Sequence, residues 1–119
     1  MSERQMPDRF LRLLGLAKCG GNTIVGAPLI FAAMQKARPP LLVIAAADAS
    51  PPSAKKLRTQ CEYYRVPLLV SHYTKDTLSH AVGHLGPVAA VAVTDAGLAG
   101  ELQKSSGKDV SVPVGNEEK

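Results

Sequence analysis

Apolar residues recur along this chain with two different periods. Phe10, Leu13, Leu14 and Ala17 repeat at steps of three and four, with Arg9, Arg12 and Lys18 elsewhere on the surface. That spacing predicts an amphipathic helix from Arg9, with Asp8 placed to cap it and Gly20-Gly21 to stop it. Thr23-Ile24-Val25 reads as a short extended piece. Gly26 then precedes a second helix carrying Pro28 in its first turn, where a missing N–H costs nothing. Leu29, Ile30, Ala33 and Met34 supply its expected buried stripe, and Arg38-Pro39-Pro40 ends it.

The second period is that of strands. Leu41 to Ala46 is a continuous apolar run, as expected for a strand covered on both faces. Val66 to Val70 and Val88 to Val93 are two more, with Pro67 at the start of the former, where a ladder donor can be spared. Between them, Asp48 to Pro52 reads as a turn. Ser53 is placed to cap a third helix running to about Tyr64, with Leu57 and Cys61 inward and Lys55, Lys56 and Arg58 outward. Thr74 can cap a fourth helix, from Lys75 to about Val82. Gly83 to Pro87 is a loop, and a last helix is expected from Ala96 to Lys104.

Helices alternating with apolar strands predict an α/β fold, with helices on both faces of a parallel or mixed sheet. The domain is expected over residues 8–104, flanked by a flexible N-terminus (1–7) and a polar, disordered tail (105–119). A chain of 119 residues suggests one domain, large enough to fold without staples. Aromatics make up only 4% and Trp is absent, so the core must come from Leu, Val, Ile and Ala. Met1 to Phe10 is polar and does not read as a secretory leader, and no apolar run approaches a spanning helix. A cytoplasmic protein is therefore expected.

Charge adds a hint of function. The net charge is +4, but residues 1–60 carry nine Lys/Arg against three Asp/Glu, and residues 61–119 carry five against seven. A basic N-terminal half suits an anionic partner, nucleic acid above all, although a soluble surface with a chance imbalance fits the charge as well. The candidates for catalysis are weak. Lys18-Cys19-Gly20-Gly21-Asn22 lacks phosphate-loop spacing and reads as a helix stop. His80 and His84 are four apart, but Gly83 interrupts the helix, so surface histidines are expected rather than a metal site. Asp48, Asp76 and Asp95 stand where carboxylates cap turns and helices. Cys19 and Cys61 form neither a zinc pattern nor a disulfide framework and are expected to be buried thiols. The Lys55-Lys56…Arg58 cluster reads as a solvated face. Tyr63-Tyr64 could stack on bases, although half-buried packing at a helix end is expected. Neither enzyme activity nor a cofactor is expected.

From Arg12 to Leu102 the chain resembles the kink-turn-binding superfamily of ribosomal proteins (L-seven-Ae type), most closely its small bacterial YlxQ-like branch. Several strings carry this: Leu13 to Lys18 followed by Gly21 and Gly26; Leu42 to Ser50; Lys55-Lys56-Leu57; Cys61 to Pro67; Leu78 to Gly83; and Val91 to Gly97. The resemblance implies a three-layer α-β-α sandwich around a four-stranded mixed sheet. It also implies a surface for a kink-turn, an RNA duplex sharply bent beside tandem sheared G·A pairs, and with it a ribosome-associated role in translation. One part of that surface is the turn into the second helix, here Gly26-Ala27-Pro28-Leu29. The other is the apolar loop after the fourth helix, here His84-Leu85-Gly86-Pro87-Val88 with Gly83 leading in. Lys18, Asn22 and Lys36 complete the expected RNA-contacting set.

The chain departs from the family pattern at this surface. The family motif is Gly-x-Asn-Glu with a Lys one turn on; this chain has Ala27, Pro28 and Leu29, then Ala32 and Ala33. The strand-end Ala-Glu-Asp of relatives is Ala46-Ala47-Asp48, and the Arg before proline in the loop is Gly86. Three functions are weighed: an RNA-binding protein, its partner a structured RNA with ribosomal RNA among the candidates; a protein-interaction module that keeps the fold without the RNA readout; and a small-molecule binder using Gly20-Gly21. DNA and membranes are not expected partners, and a monomer suffices.

Overall fold

The computed structural model describes residues 9–36, 39–106 and 110–111, with side chains described to residue 104. Elements alternate along the chain: α1 (Arg9–Cys19), β1 (Thr23–Val25), α2 (Ala27–Met34), β2 (Leu42–Ala45), α3 (Pro51–Tyr64), β3 (Leu68–Val70), α4 (Lys75–Ala81), β4 (Ala90–Val93), α5 (Ala96–Ser106) and β5 (Val110–Ser111). The sheet order is β1-β4-β2-β3-β5. Strands β2 and β3 are parallel and the other neighbours antiparallel, which makes the mixed sheet of the expected α/β sandwich.

The pleat sorts the two central strands onto two cores. Successive side chains of a strand point to opposite faces. Leu42, Ile44, Val91 and Val93 therefore meet Phe10, Leu14, Leu78 and Leu102, from α1, α4 and α5. Val43, Ala45, Ala90 and Ala92 meet Ile30, Met34, Leu57 and Cys61, from α2 and α3. Strands β2 and β4 are buried throughout, as their unbroken apolar runs require. The alanines of β4 lie on the α2–α3 side, so the helices approach the sheet closely there.

Several local details differ from the sequence expectation. Helix α3 is capped by Ser50, not Ser53: the Ser50 hydroxyl accepts the Ser53 N–H at 3.4 Å. Pro51 and Pro52 fill the first two helical positions, where no N–H is needed, so the helix starts earlier than the proline pair suggested. Leu29 is 62% exposed rather than buried. The inward line of α2 runs through Ile30 and Met34, four apart, and Leu29 sits on the neighbouring line. Tyr63 projects into solvent at 76% exposure, set edge-on to the half-buried Tyr64. Cys19 is exposed and Cys61 buried.

At the chain's end, α5 runs to Ser106, and Val110–Ser111 pairs with β3, adding a fifth, two-residue edge strand. Part of the segment expected to be a disordered tail thus carries backbone pairing; 107–109 and 112–119 lie outside the described residues. So do Asp8, the expected cap of α1, the N-terminal segment 1–7, and Arg38. No described helix is long and apolar enough to cross a membrane.

This packing has three measurable consequences. Ser50→Ala is expected to lower stability by about 1 kcal/mol in urea titration, and Ser53→Ala to change it far less. The Cys61 thiol is pushed up to about 12 from the ordinary 9.0, by burial and by the negative charge of neighbouring Glu62. The buried neutral thiol then contributes stability below about pH 9 that is lost as pH rises from 9 to 12, because the unfolded chain gives up its proton first. Denaturation midpoints measured from pH 8 to 11 should fall more steeply in the native protein than in Cys61→Ala. A thiol reagent at pH 8 should label Cys19 at once and Cys61 only on unfolding.

Candidate nucleic-acid interface

One end of the sheet gathers the two segments that the sequence singled out. Residues 23–25 are β-branched, which suits an extended edge, and Gly26 breaks the strand with φ 97° and ψ 137°. Side chains rarely adopt that conformation, whereas glycine does so freely. A Cβ at Gly26 would meet nothing within 4 Å, so the backbone alone demands glycine and the space above it is open. Gly26 donates its N–H to the Ala90 carbonyl at 3.0 Å and accepts the first helical bond from Ile30. No side chain caps α2, and Pro28 lies in its first turn. The helix therefore presents the N–H groups of Ala27 and Leu29 and the positive end of its dipole outward.

Ala90 is also where the second segment enters the sheet. The chain leaves α4 through Gly83, with φ 64°, and turns again at Gly86, with φ 84°. His84 N–H closes the helix end on the Ser79 carbonyl at 2.9 Å, and its ring Nδ1 lies 3.4 Å from the Gly86 carbonyl. Leu85, at the loop tip, is 93% exposed. Gly86 and Pro87 are exposed as well, but Val88 is buried in the α1–α4–α5 core. Its side chain anchors the loop and does not belong to the contact surface expected of it.

Neighbouring bonds hold this end together. Ala46 donates to the Ala89 carbonyl at 2.8 Å, and Ala47 to that of Tyr73 at 2.8 Å. The Asp48 carboxylate accepts the Lys75 N–H at 2.8 Å, at the start of α4. At the opposite end of the sheet, just beyond β4, Asp95 accepts the Leu98 N–H at 2.8 Å at the start of α5. Both carboxylates are helix caps, as their positions implied. Buried Ser71 donates its hydroxyl to the Ala45 carbonyl at 2.8 Å, beyond the end of β3.

The remaining expected contact residues are distributed unevenly. Pro28 and Leu29 are exposed beside Gly26, while Ala27 is half-buried against the α2–α3 core. Lys18 is exposed on α1 and lines a groove that Gly83 also lines. Asn22 sits at the other end of β1 from Gly26, its carbonyl accepting the Thr94 N–H at 2.8 Å. Lys36 is exposed beyond the C-terminal end of α2, roughly 13–15 Å along the helix from Gly26. Neither Asn22 nor Lys36 joins the cluster. Sequence reasoning passed over Lys75, a half-buried residue that stands at this end through its backbone: its carbonyl faces the Val88 N–H at 3.5 Å. Its only signal was its place after the Thr74 cap.

His72, His80 and His84 are all exposed, and no group of His, Cys, Asp or Glu among the described residues could hold a metal ion.

Comparison with known proteins places this geometry. The model of the Ribosomal protein L7Ae/L30e/S12e/Gadd45 family matches residues 8–103. The RNA-binding protein YlxQ of Bacillus subtilis (strain 168) is 37% identical over 90 residues, 76% of this chain and 87% of that protein. A solved structure of a protein with unknown function from Bacillus halodurans C has a TM-score of 0.76 at 29% identity, covering 84% of this chain and 98% of its own. The Giardia lamblia 15.5kD RNA binding protein has the same fold, with a TM-score of 0.70 at 22% identity over 90% of each chain.

The left-handed Gly26 yields a direct test. Gly26→Ala is expected to destabilise the fold by about 1–3 kcal/mol, read by chemical denaturation, through backbone strain alone. A loss near zero would mean that the turn into α2 relaxes to another conformation.

Proposed function

Because the chain belongs to the Ribosomal protein L7Ae/L30e/S12e/Gadd45 family, in its YlxQ-like branch, we propose that it is a non-catalytic RNA-binding protein of the cytoplasm. Its partner on this reading is a kink-turn or similarly bent, ribosome-associated RNA. One observation carries the reading: the Gly26 N–H bond to Ala90 sets the uncapped start of α2 beside the loop tipped by Leu85.

The two halves do complementary work. Ala27 and Leu29 N–H groups donate to a phosphate or a base-edge oxygen, and open space above Gly26 lets the RNA backbone come close. Leu85 covers an unstacked base, which a bent RNA exposes and a regular duplex does not. Lys75 and Lys18 supply the salt-dependent share of the affinity. The side-chain acceptor that relatives aim at guanine edges is replaced by Ala27-Pro28-Leu29, so recognition rests on backbone N–H groups and RNA shape. Asp48 is engaged in capping α4.

The alternative is a protein-interaction module. Exposed Leu29 and Leu85 favour it, since both stand free of the core at the same end of the sheet.

A gel-shift titration at two salt concentrations separates these readings. It compares a kink-turn RNA with the same RNA whose G·A pairs are made Watson–Crick. The kink-turn is expected to bind tighter, and Leu85→Glu to weaken it at least about tenfold through the charge placed against a base. Lys75→Gln should flatten the salt dependence by about one phosphate contact, while Lys36→Gln leaves it nearly unchanged. Equal binding to both RNAs would sink the kink-turn specificity, and binding to neither would leave the protein-interaction module.

A further inference from the structure

Helices α1 and α4 leave a furrow between them, on the sheet face opposite α2 and α3. Small residues let the helices meet at its floor: a Cβ on Gly15 would stand 3.4 Å from the Ala81 carbonyl, and Gly15 and Ala81 line the groove above that contact. Two hollows of about 510 and 550 Å³ run into one another there, sharing Arg12, His80 and Ala81.

The furrow is lined mostly by apolar groups, and its charged groups are mainly basic. Helix α1 places Arg12 and Lys18 on the furrow and contains no carboxylate. The last turn of α4 adds His80. Asp76 borders only the hollow away from Lys18. Arg12, Lys18 and His80 are all exposed, and none of their side chains has an ion-pair or hydrogen-bond partner among the described residues. Leu16, 60% exposed, gives the same furrow an apolar flank. Cations with an adjoining apolar surface suit a single strand, whose phosphates and bases need different neighbours.

The furrow also has a direction. Gly83 lines it and begins the loop that carries Leu85, so it is continuous with the surface assigned above to RNA. From Arg12 to Lys18, α1 rises about 9 Å, which sets the two cations apart along the furrow so that each can face a different phosphate of one strand.

We propose that the α1–α4 furrow holds single-stranded nucleotides continuing from the RNA bound at the Leu85 loop, with Arg12, Lys18 and His80 on the phosphates. This rests on the RNA-binding reading of that loop and extends it: the protein recognises a bend together with an unpaired flank.

The test uses the full chain and three RNAs: a minimal kink-turn, and the same RNA with five unpaired nucleotides on its 5′ or its 3′ end. One extension is expected to tighten binding about tenfold and to steepen the salt dependence of log K by about 1.4, two cations at about 0.7 each. Arg12→Gln combined with His80→Gln should abolish that gain and leave affinity for the minimal RNA unchanged. Arg12→Lys should keep the gain, and thermal melts establish that the variants fold. The proposal is overturned if neither extension matters, or if the double variant retains the full gain. Should Leu85→Glu spare the minimal RNA while the double variant still removes the gain, the loop reading fails and the furrow stands. Failure to bind any of the three RNAs overturns both.

Discussion

Strand β4 is bonded on both sides, and the geometry of the candidate interface hangs on that. Its Ala90 carbonyl takes the Gly26 N–H, while the preceding Ala89 carbonyl takes the Ala46 N–H. These bonds tie the start of α2, the end of β2 and the return of the α4–β4 loop to one strand end. All four β4 side chains are buried, so the strand cannot slide without turning its faces out of both cores. The position of Leu85 relative to Gly26 is therefore set by the register of a buried sheet, although both residues stand at its surface.

This explains how a site can lose side-chain chemistry and keep its shape. Backbone N–H groups at a helix start need only a turn of the right conformation, which Gly26 supplies. An apolar loop tip needs two turns and an anchor. Gly83 and Gly86 provide the turns, and buried Val88 provides the anchor. Asp48, the one acidic residue left of the Ala-Glu-Asp pattern, caps α4 and so serves the scaffold. What the fold requires is present, and what would read a base edge through a side chain is replaced by Ala27, Pro28 and Leu29.

Much of this architecture was legible in the sequence because burial writes itself as a period. The apolar runs Leu41 to Ala46 and Val88 to Val93 read as strands covered on both faces with helices between them, and β2 and β4 lie within those runs. Position within a helix was less legible. Ser50 and Ser53 are both cap residues, and only the tolerance of a helix start for two prolines decides between them. Leu29 reads as core by composition and as surface by rotation, a difference of one residue in a turn of 3.6. Lys36 and Asn22 looked like neighbours of Gly26 along the chain, yet helix length and strand direction carry them away. Lys75 and His80 come to the interface through tertiary bonds and packing, which leave no local pattern.

The electrostatics point the same way as the packing. The basic excess of residues 1–60 is divided over the molecule: Lys55, Lys56 and Arg58 lie on α3, with Lys56 4.7 Å above the Phe31 ring, and Arg9 pairs with Glu101 at 2.9 Å. A cation held against a ring or a carboxylate has part of its field already answered. The Arg12 and Lys18 side chains have no such engagement among the described residues, and with the His80 ring they line one concave strip between two helices. Clefts concentrate field lines that a convex surface spreads into water. The furrow holds fewer cations than the α2–α3 side, but among the described residues it sets Arg12 and Lys18 along a concave strip, the shape in which their fields add.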